Sequence, residues 1–95
     1  MSISFNDFIG EDTIILTGNI PHPSSPESFS FVLTDKKLMY LRNKYLSMDI
    51  LPLKKIKVIN ITPVTITVDN LVIAYGPENA ELAKRLFNEI AKRIV

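Results

Sequence analysis

The chain has no cysteine and no tryptophan, only three glycines, and a single histidine among its 95 residues. Without cysteine there is no disulfide framework and no thiolate metal site, which suits a reducing compartment. His22 is the one imidazole. It sits in a proline-rich loop with no second histidine to share a metal and no nucleophile set beside it, so it reads as a solvated loop residue. Gly10, Gly18 and Gly76 are too scattered to build a phosphate cradle. Charge of one sign is also missing: the net charge is +1, so no general attraction to nucleic acid is expected. No apolar run approaches the roughly 18 residues that span a bilayer. The opening Met1–Phe8 stretch has no basic segment and soon meets Glu11 and Asp12, unlike a secretory signal. The Asn60-Ile61-Thr62 sequon is then without consequence, and a cytoplasmic location is expected. Glu11 and Asp12 are neighbours that an extended segment points to opposite sides, a poor acid–base pair. No enzymatic role, cofactor or small-molecule substrate is expected.

What is present is apolar: 46% of the residues, enough for one domain with a core of its own. Residues 1–12 form a weakly patterned N-terminal segment. Thr13–Thr17 is β-branched and reads as a first strand, fading at Gly18. Pro21, Pro23 and Pro26 remove three ladder donors and make 21–28 a loop. Phe29, Phe31 and Leu33 then alternate with Ser30, Val32 and Thr34, the period of a strand with one buried face. Asp35-Lys36-Lys37 is a polar turn, Leu38–Arg42 a third strand and Tyr45–Ile50 a fourth, stopped by Pro52. Ile56–Ile61, Val64–Val68 and Leu71–Tyr75 complete seven strands over 13–75. Asp69-Asn70 is a two-residue hairpin loop, since both residue types tolerate positive φ.

After Gly76 the period changes to 3.6. Pro77 suits a first helical position, and Leu82, Leu86, Ile90 and Ile94 recur every four residues, flanked by Ala83 and Phe87. A helix over 77–94 is expected to pack on the sheet. Its Glu81–Arg85 and Glu89–Arg93 pairs contribute about 0.2–0.5 kcal/mol each, far less than burial of the apolar stripe at roughly 1.5–3 kcal/mol per side chain. The expected core is Phe31, Leu33, Tyr40, Met48, Ile66, Ile73, Leu82, Leu86, Phe87 and Ile90.

Seven short strands and one amphipathic C-terminal helix resemble a pleckstrin homology (PH) domain, in particular the small bacterial and archaeal PH-like domains. The resemblance is carried by Gly10-Glu11 before the first strand, by Leu33-Thr-Asp-Lys-Lys-Leu-Met-Tyr40 across the second turn, and by Ile50-Leu-Pro-Leu-Lys-Lys-Ile56. It implies a mainly β fold: a seven-stranded antiparallel, partly open barrel closed by the helix. The final helix lacks the tryptophan of eukaryotic PH domains, with Phe87 in its place. Phosphoinositide-binding members place basic residues on the first two strands and the loop between them, and Thr13–Thr34 contains none.

Two surface features remain. Residues 1–35 hold five acids and no Lys or Arg, whereas 36–57 hold seven basic residues against Asp49 alone. An up-and-down meander brings the turn at 35–37 and the connection at 52–55 to one end, so Lys36, Lys37, Lys54 and Lys55 form a candidate basic patch. That patch could contact an anionic membrane surface weakly and in a salt-sensitive way, or merely solvate two turns. The second feature is a strand pair that is apolar on both faces. If Phe31, Leu33, Leu38 and Tyr40 face the core, then Val32, Met39 and Leu41 face outward. Either residues 1–12 cover them, or they dock a protein partner, most economically a second copy in a homo-oligomer. The leading expectation is a non-enzymatic interaction module working through this outward apolar face.

Overall fold

The computed structural model describes residues 10–42 and 48–94. Seven antiparallel strands lie in two sheets, followed by one helix. Strands β1 (Ile14–Pro21), β2 (Ser28–Thr34), β3 (Lys37–Arg42) and β4 (Met48–Pro52) form the first sheet in chain order. Strands β5 (Ile59–Ile61), β6 (Thr65–Val68) and β7 (Leu71–Ala74) form the second, also in chain order. Among the described residues no ladder joins the two sheets. A 3₁₀ turn at Leu53–Lys55 connects them, and a second at Pro77–Asn79 leads into helix α1 (Ala80–Ala91).

The core lies where the inner faces of both sheets meet the apolar stripe of α1. Phe31, Leu33 and Leu38 from the first sheet, Ile66 and Ile73 from the second, and Ala83, Leu86 and Ile90 from the helix are buried there. Tyr40, Leu82 and Phe87 pack against this cluster while keeping some exposure. Phe29 stacks on Tyr40 with ring centroids 5.2 Å apart.

Several strand boundaries differ from those the pattern implies, each for a local reason. β1 runs on through Gly18, which is a contact point and not a break. A Cβ there would lie 3.0 Å from Leu82 Cδ2 and 3.2 Å from Phe31 Cζ, so the missing side chain lets the helix approach the strand. β5 begins at Ile59 instead of Ile56, because Asp69 Oδ1 accepts the amide protons of Lys57 at 3.0 Å and Val58 at 2.9 Å. Asp69 has φ 52° and opens the Asp69-Asn70 loop that joins the Val68–Leu71 pair. β6 begins at Thr65 because Thr62 Oγ1 accepts the Val64 and Thr65 amides at 3.2 and 2.9 Å, closing a turn. The expected helix over 77–94 is narrower as an α-helix: its first turn is 3₁₀, its N-terminal Pro77 included. The Glu89–Arg93 pair closes at 2.7 Å, whereas Glu81 and Arg85 form no ion pair among those of the described residues.

Met48 is a correction. It faces Leu41 across the β3–β4 ladder, on the side away from the core, and is half-buried. Asp49 pairs with Tyr40 and Leu51 with Leu38, so the phase of β3 assigns the inward positions of β4 to 49 and 51. In the sequence Leu46, Met48 and Ile50 alternate with Tyr45, Ser47 and Asp49, and expecting Met48 in the core takes the outer set for the inner one. Of the expected fourth strand, residues 45–47 lie outside the described residues. Pro52 ends β4 as expected, as its last residue and paired opposite Lys37, which an edge strand tolerates.

Candidate functional site

The first sheet has two apolar faces. The Phe31–Tyr40 and Leu33–Leu38 pairs point into the core, so the intervening Val32–Met39 and Ser30–Leu41 pairs point outward. Met48 and Ile50 extend that outer row onto β4, opposite Leu41 and Met39. The expected outward placement of Val32, Met39 and Leu41 is therefore what the register shows. Their accessibility is another matter. Val32 is 7% exposed and Met39 0%, and Leu41 is half-buried, so the centre of this face is covered within the single chain. Exposure rises toward the β4 edge, where Ile50 reaches 43%. The expectation that residues 1–12 provide the cover falls largely on residues 1–9, outside the described residues.

The basic residues come together as the meander implies. The Leu53 amide donates to the Lys36 carbonyl at 3.0 Å, which ties the 3₁₀ turn carrying Lys54 and Lys55 to the β2–β3 turn. Lys36, Lys54 and Lys55 are exposed. Lys37 is not a free member of the group. Its ammonium lies 3.0 Å from Asp12 Oδ2 with 23% of its side chain exposed, while Lys36 stays 3.9 Å from Asp12 and 71% exposed.

Asp12 belongs to a small polar lock that the sequence pattern does not announce. Thr34 is fully buried. Its hydroxyl oxygen accepts the Lys36 and Lys37 amides at 3.2 and 3.1 Å. The same oxygen lies 3.2 Å from both Asp12 Oδ2 and the Lys37 carbonyl, either of which can accept its one proton. Asp35 completes the lock, accepting the Thr13 amide at 3.1 Å and donating its own amide to the Thr13 carbonyl at 3.0 Å. The Lys37 hydrogen bond holds the Asp12 carboxyl below its ordinary range, against desolvation that raises it, with Thr34 and the lysine charges assisting. Glu89 is likewise lowered, first by its hydrogen bond from Arg93.

Concave regions flank two of the elements, β7 and α1. One, of about 250 Å³, opens between the end of the β1–β2 hairpin and β7 and is lined by Ile20, His22, Phe29, Val72 and Ala74 among others. The other, of about 470 Å³, lies between α1 and the β5–β6 turn, over Ile61, Pro63, Tyr75 and Phe87. His22 lines the first, with its Nδ1 accepting the Ser24 amide at 3.1 Å. No described helix is long and apolar enough to cross a membrane.

Comparison with protein-family models, curated proteins and solved structures gives no match.

Proposed function

We propose that this chain is a cytoplasmic, non-enzymatic interaction module of the PH-like type, its two sheets and helix forming a partly open barrel. It makes protein–protein contacts, in the simplest case with a second copy, through the outer face of its four-stranded sheet. The observation that carries this reading is the apolar row Leu41, Met48 and Ile50 continuing outward from the covered Val32 and Met39 to an edge strand. A partner burying that rim would add to an apolar layer already half built, and the contact area would be set by the β4 side of the sheet. The burial of Val32 and Met39 moves the point of contact from the sheet centre to its rim.

Light-scattering mass across a dilution series tests this. An oligomer that Ile50→Glu disperses while leaving the amide spectrum native supports the reading. A monomer at every concentration, with no partner contact sensitive to Ile50, sinks it.

A second reading is favoured by the Leu53–Lys36 hydrogen bond, which sets Lys36, Lys54 and Lys55 on one end of the molecule. Three lysines near an anionic membrane supply about 3 kcal/mol, at roughly 1 kcal/mol each. Lys37 adds little because Asp12 neutralises it. Such contact is weak: the protein should pellet with anionic vesicles at low salt and release by about 0.2 M, where screening lengths fall below about 8 Å. Vesicle binding that ignores salt excludes this mechanism.

A further inference from the structure

We propose that the seam beside β7 is a docking slot for an extended peptide of a partner protein. The peptide would add to the free edge of the three-stranded sheet as its fourth strand and lay one apolar side chain on Ile20 and Phe29. This slot is separate from the outer face of the first sheet and does not depend on it.

The ladder phase shows which backbone groups are available. The hairpin closes on Val68 and Leu71 across a two-residue loop, with Ile66 opposite Ile73. In such a hairpin the closing pair exchanges both hydrogen bonds and every second pair repeats this. The Tyr75 amide donating to the Val64 carbonyl at 3.0 Å confirms that phase. Leu71, Ile73 and Tyr75 therefore turn their amides and carbonyls toward β6. Val72 and Ala74 turn theirs the other way, to an edge that has no strand partner among the described residues.

That edge faces the 250 Å³ cleft, whose lining includes Ile20, Phe29 and Ile73 as well as Val72 and Ala74. Its far wall is the proline-rich loop after β1, pinned by the His22 amide donating to the Glu27 carbonyl at 2.9 Å. Outward N–H and C=O groups at alternate residues beside an apolar hollow match one chemistry, an extended polypeptide with an apolar side chain at the right phase. Other edges in the molecule carry the usual deterrents to pairing. β1 ends in Pro21, β4 carries Asp49 and ends in Pro52, and the three-residue β5 follows Lys57. β7 itself, Leu71–Ala74, carries neither a charge nor a proline, the nearest being Asp69 before it and Pro77 after it. Protected edges are the rule where pairing is unwanted.

The probe is a synthetic peptide repeating Val64–Val68, the segment whose side chains already match the other edge of β7, flanked by lysines for solubility. Titrated into labelled protein, it should give saturable amide shifts at Val72, Ala74, Ile20 and Phe29. Exchange of the Val72 and Ala74 amides should slow about tenfold when binding is ten parts bound to one free. The same peptide N-methylated at alternate residues should lose binding. Ala74→Pro removes one outward donor without touching the β6 ladder and should lower affinity about tenfold or more. The proposal is overturned by shifts confined to another surface, by equal binding of the methylated peptide, or by no saturation. It is also overturned if the edge proves already paired, seen as Val72 and Ala74 amides protected in a dimer without peptide. The methylation comparison uses the unaltered protein, so it decides the matter even if the proline variant does not fold.

Discussion

Replacing Thr34 by valine keeps the shape of a fully buried side chain and removes only its hydroxyl. That oxygen accepts from two amides, Lys36 and Lys37, and donates to Asp12. Each neutral hydrogen bond contributes about 0.5–1.5 kcal/mol net, and a donor left dry costs about 1–3 kcal/mol. The exposed turn lets water reach the Lys36 amide more easily than the Lys37 amide, so one full penalty and one partial loss are expected. Thr34→Val should therefore destabilise the protein by about 2–3 kcal/mol, a large share of the ~5–15 kcal/mol typical of a domain. Thr34→Ser keeps the hydroxyl and should cost about 1 kcal/mol, the loss of a buried methyl. Urea unfolding measures both, with the midpoint moving and the slope unchanged if only the native state is affected. The lock also has a pH signature. Asp12 has its carboxyl lowered in the folded protein, so the stability that it contributes is present above the unfolded aspartate range and is lost as pH falls through its folded value. In Thr34→Val that acid-dependent loss should shrink, because one lowering contact is gone. A valine variant within about 0.5 kcal/mol of the parent, or one with unaltered acid sensitivity, would refute the lock.

Other outcomes follow from the same geometry. Leu86→Ala, at a fully buried helix position facing both sheets, should cost about 2–5 kcal/mol by thermal or urea unfolding. Gly18→Ala should cost about 1–3 kcal/mol, since the new Cβ meets the side-chain ends of Leu82 and Phe31 at 3.0 and 3.2 Å and both must move by a few tenths of an ångström in a packed core. Asp69→Gly keeps the positive φ but loses the acceptor for two amides, and should cost about 1–3 kcal/mol in an unfolding series; exchange of the Lys57 and Val58 amides should rise with it. Asp12→Asn should lower stability while raising affinity for anionic vesicles, because Lys37 is released to the basic end; a fall in both measurements would separate Asp12 from that end.

Much of the fold was legible because it rests on local periodicity. Phe29, Phe31 and Leu33 mark the inner face of β2 by alternation alone, and Leu82, Leu86 and Ile90 mark the helix stripe. All seven strands could be placed this way. What alternation cannot supply is the phase of one strand against its neighbour. Leu46, Met48 and Ile50 alternate as cleanly as Phe29, Phe31 and Leu33. Yet only the pairing of Asp49 with Tyr40 decides that Met48 faces out, and nothing within β4 encodes that pairing. Similarly, Gly18 reads as a strand breaker until the helix that touches it is in place.

The surface features divide along the same line. That Lys36, Lys37, Lys54 and Lys55 share one end follows from the meander, which any reader of the turns can draw. That Lys37 is neutralised does not, because its partner Asp12 stands across the start of β1 from a turn reached only after the β1–β2 hairpin is made, with Thr34 and Asp12 separated by 22 residues. The outward apolar face shows the reverse difficulty. Period and register both place Val32 and Met39 on it, but period reports direction and not cover, and an outward apolar residue is as well buried by its own chain as by a partner. The edge of β7, unpaired among the described residues, lies further still from what composition can show. Its backbone groups are the same in every sequence, and their availability depends on hairpin phase and on which strands fail to meet. Interaction sites made of backbone are therefore the ones a residue-by-residue reading will miss, and in this chain the candidate that fits a peptide is of that kind.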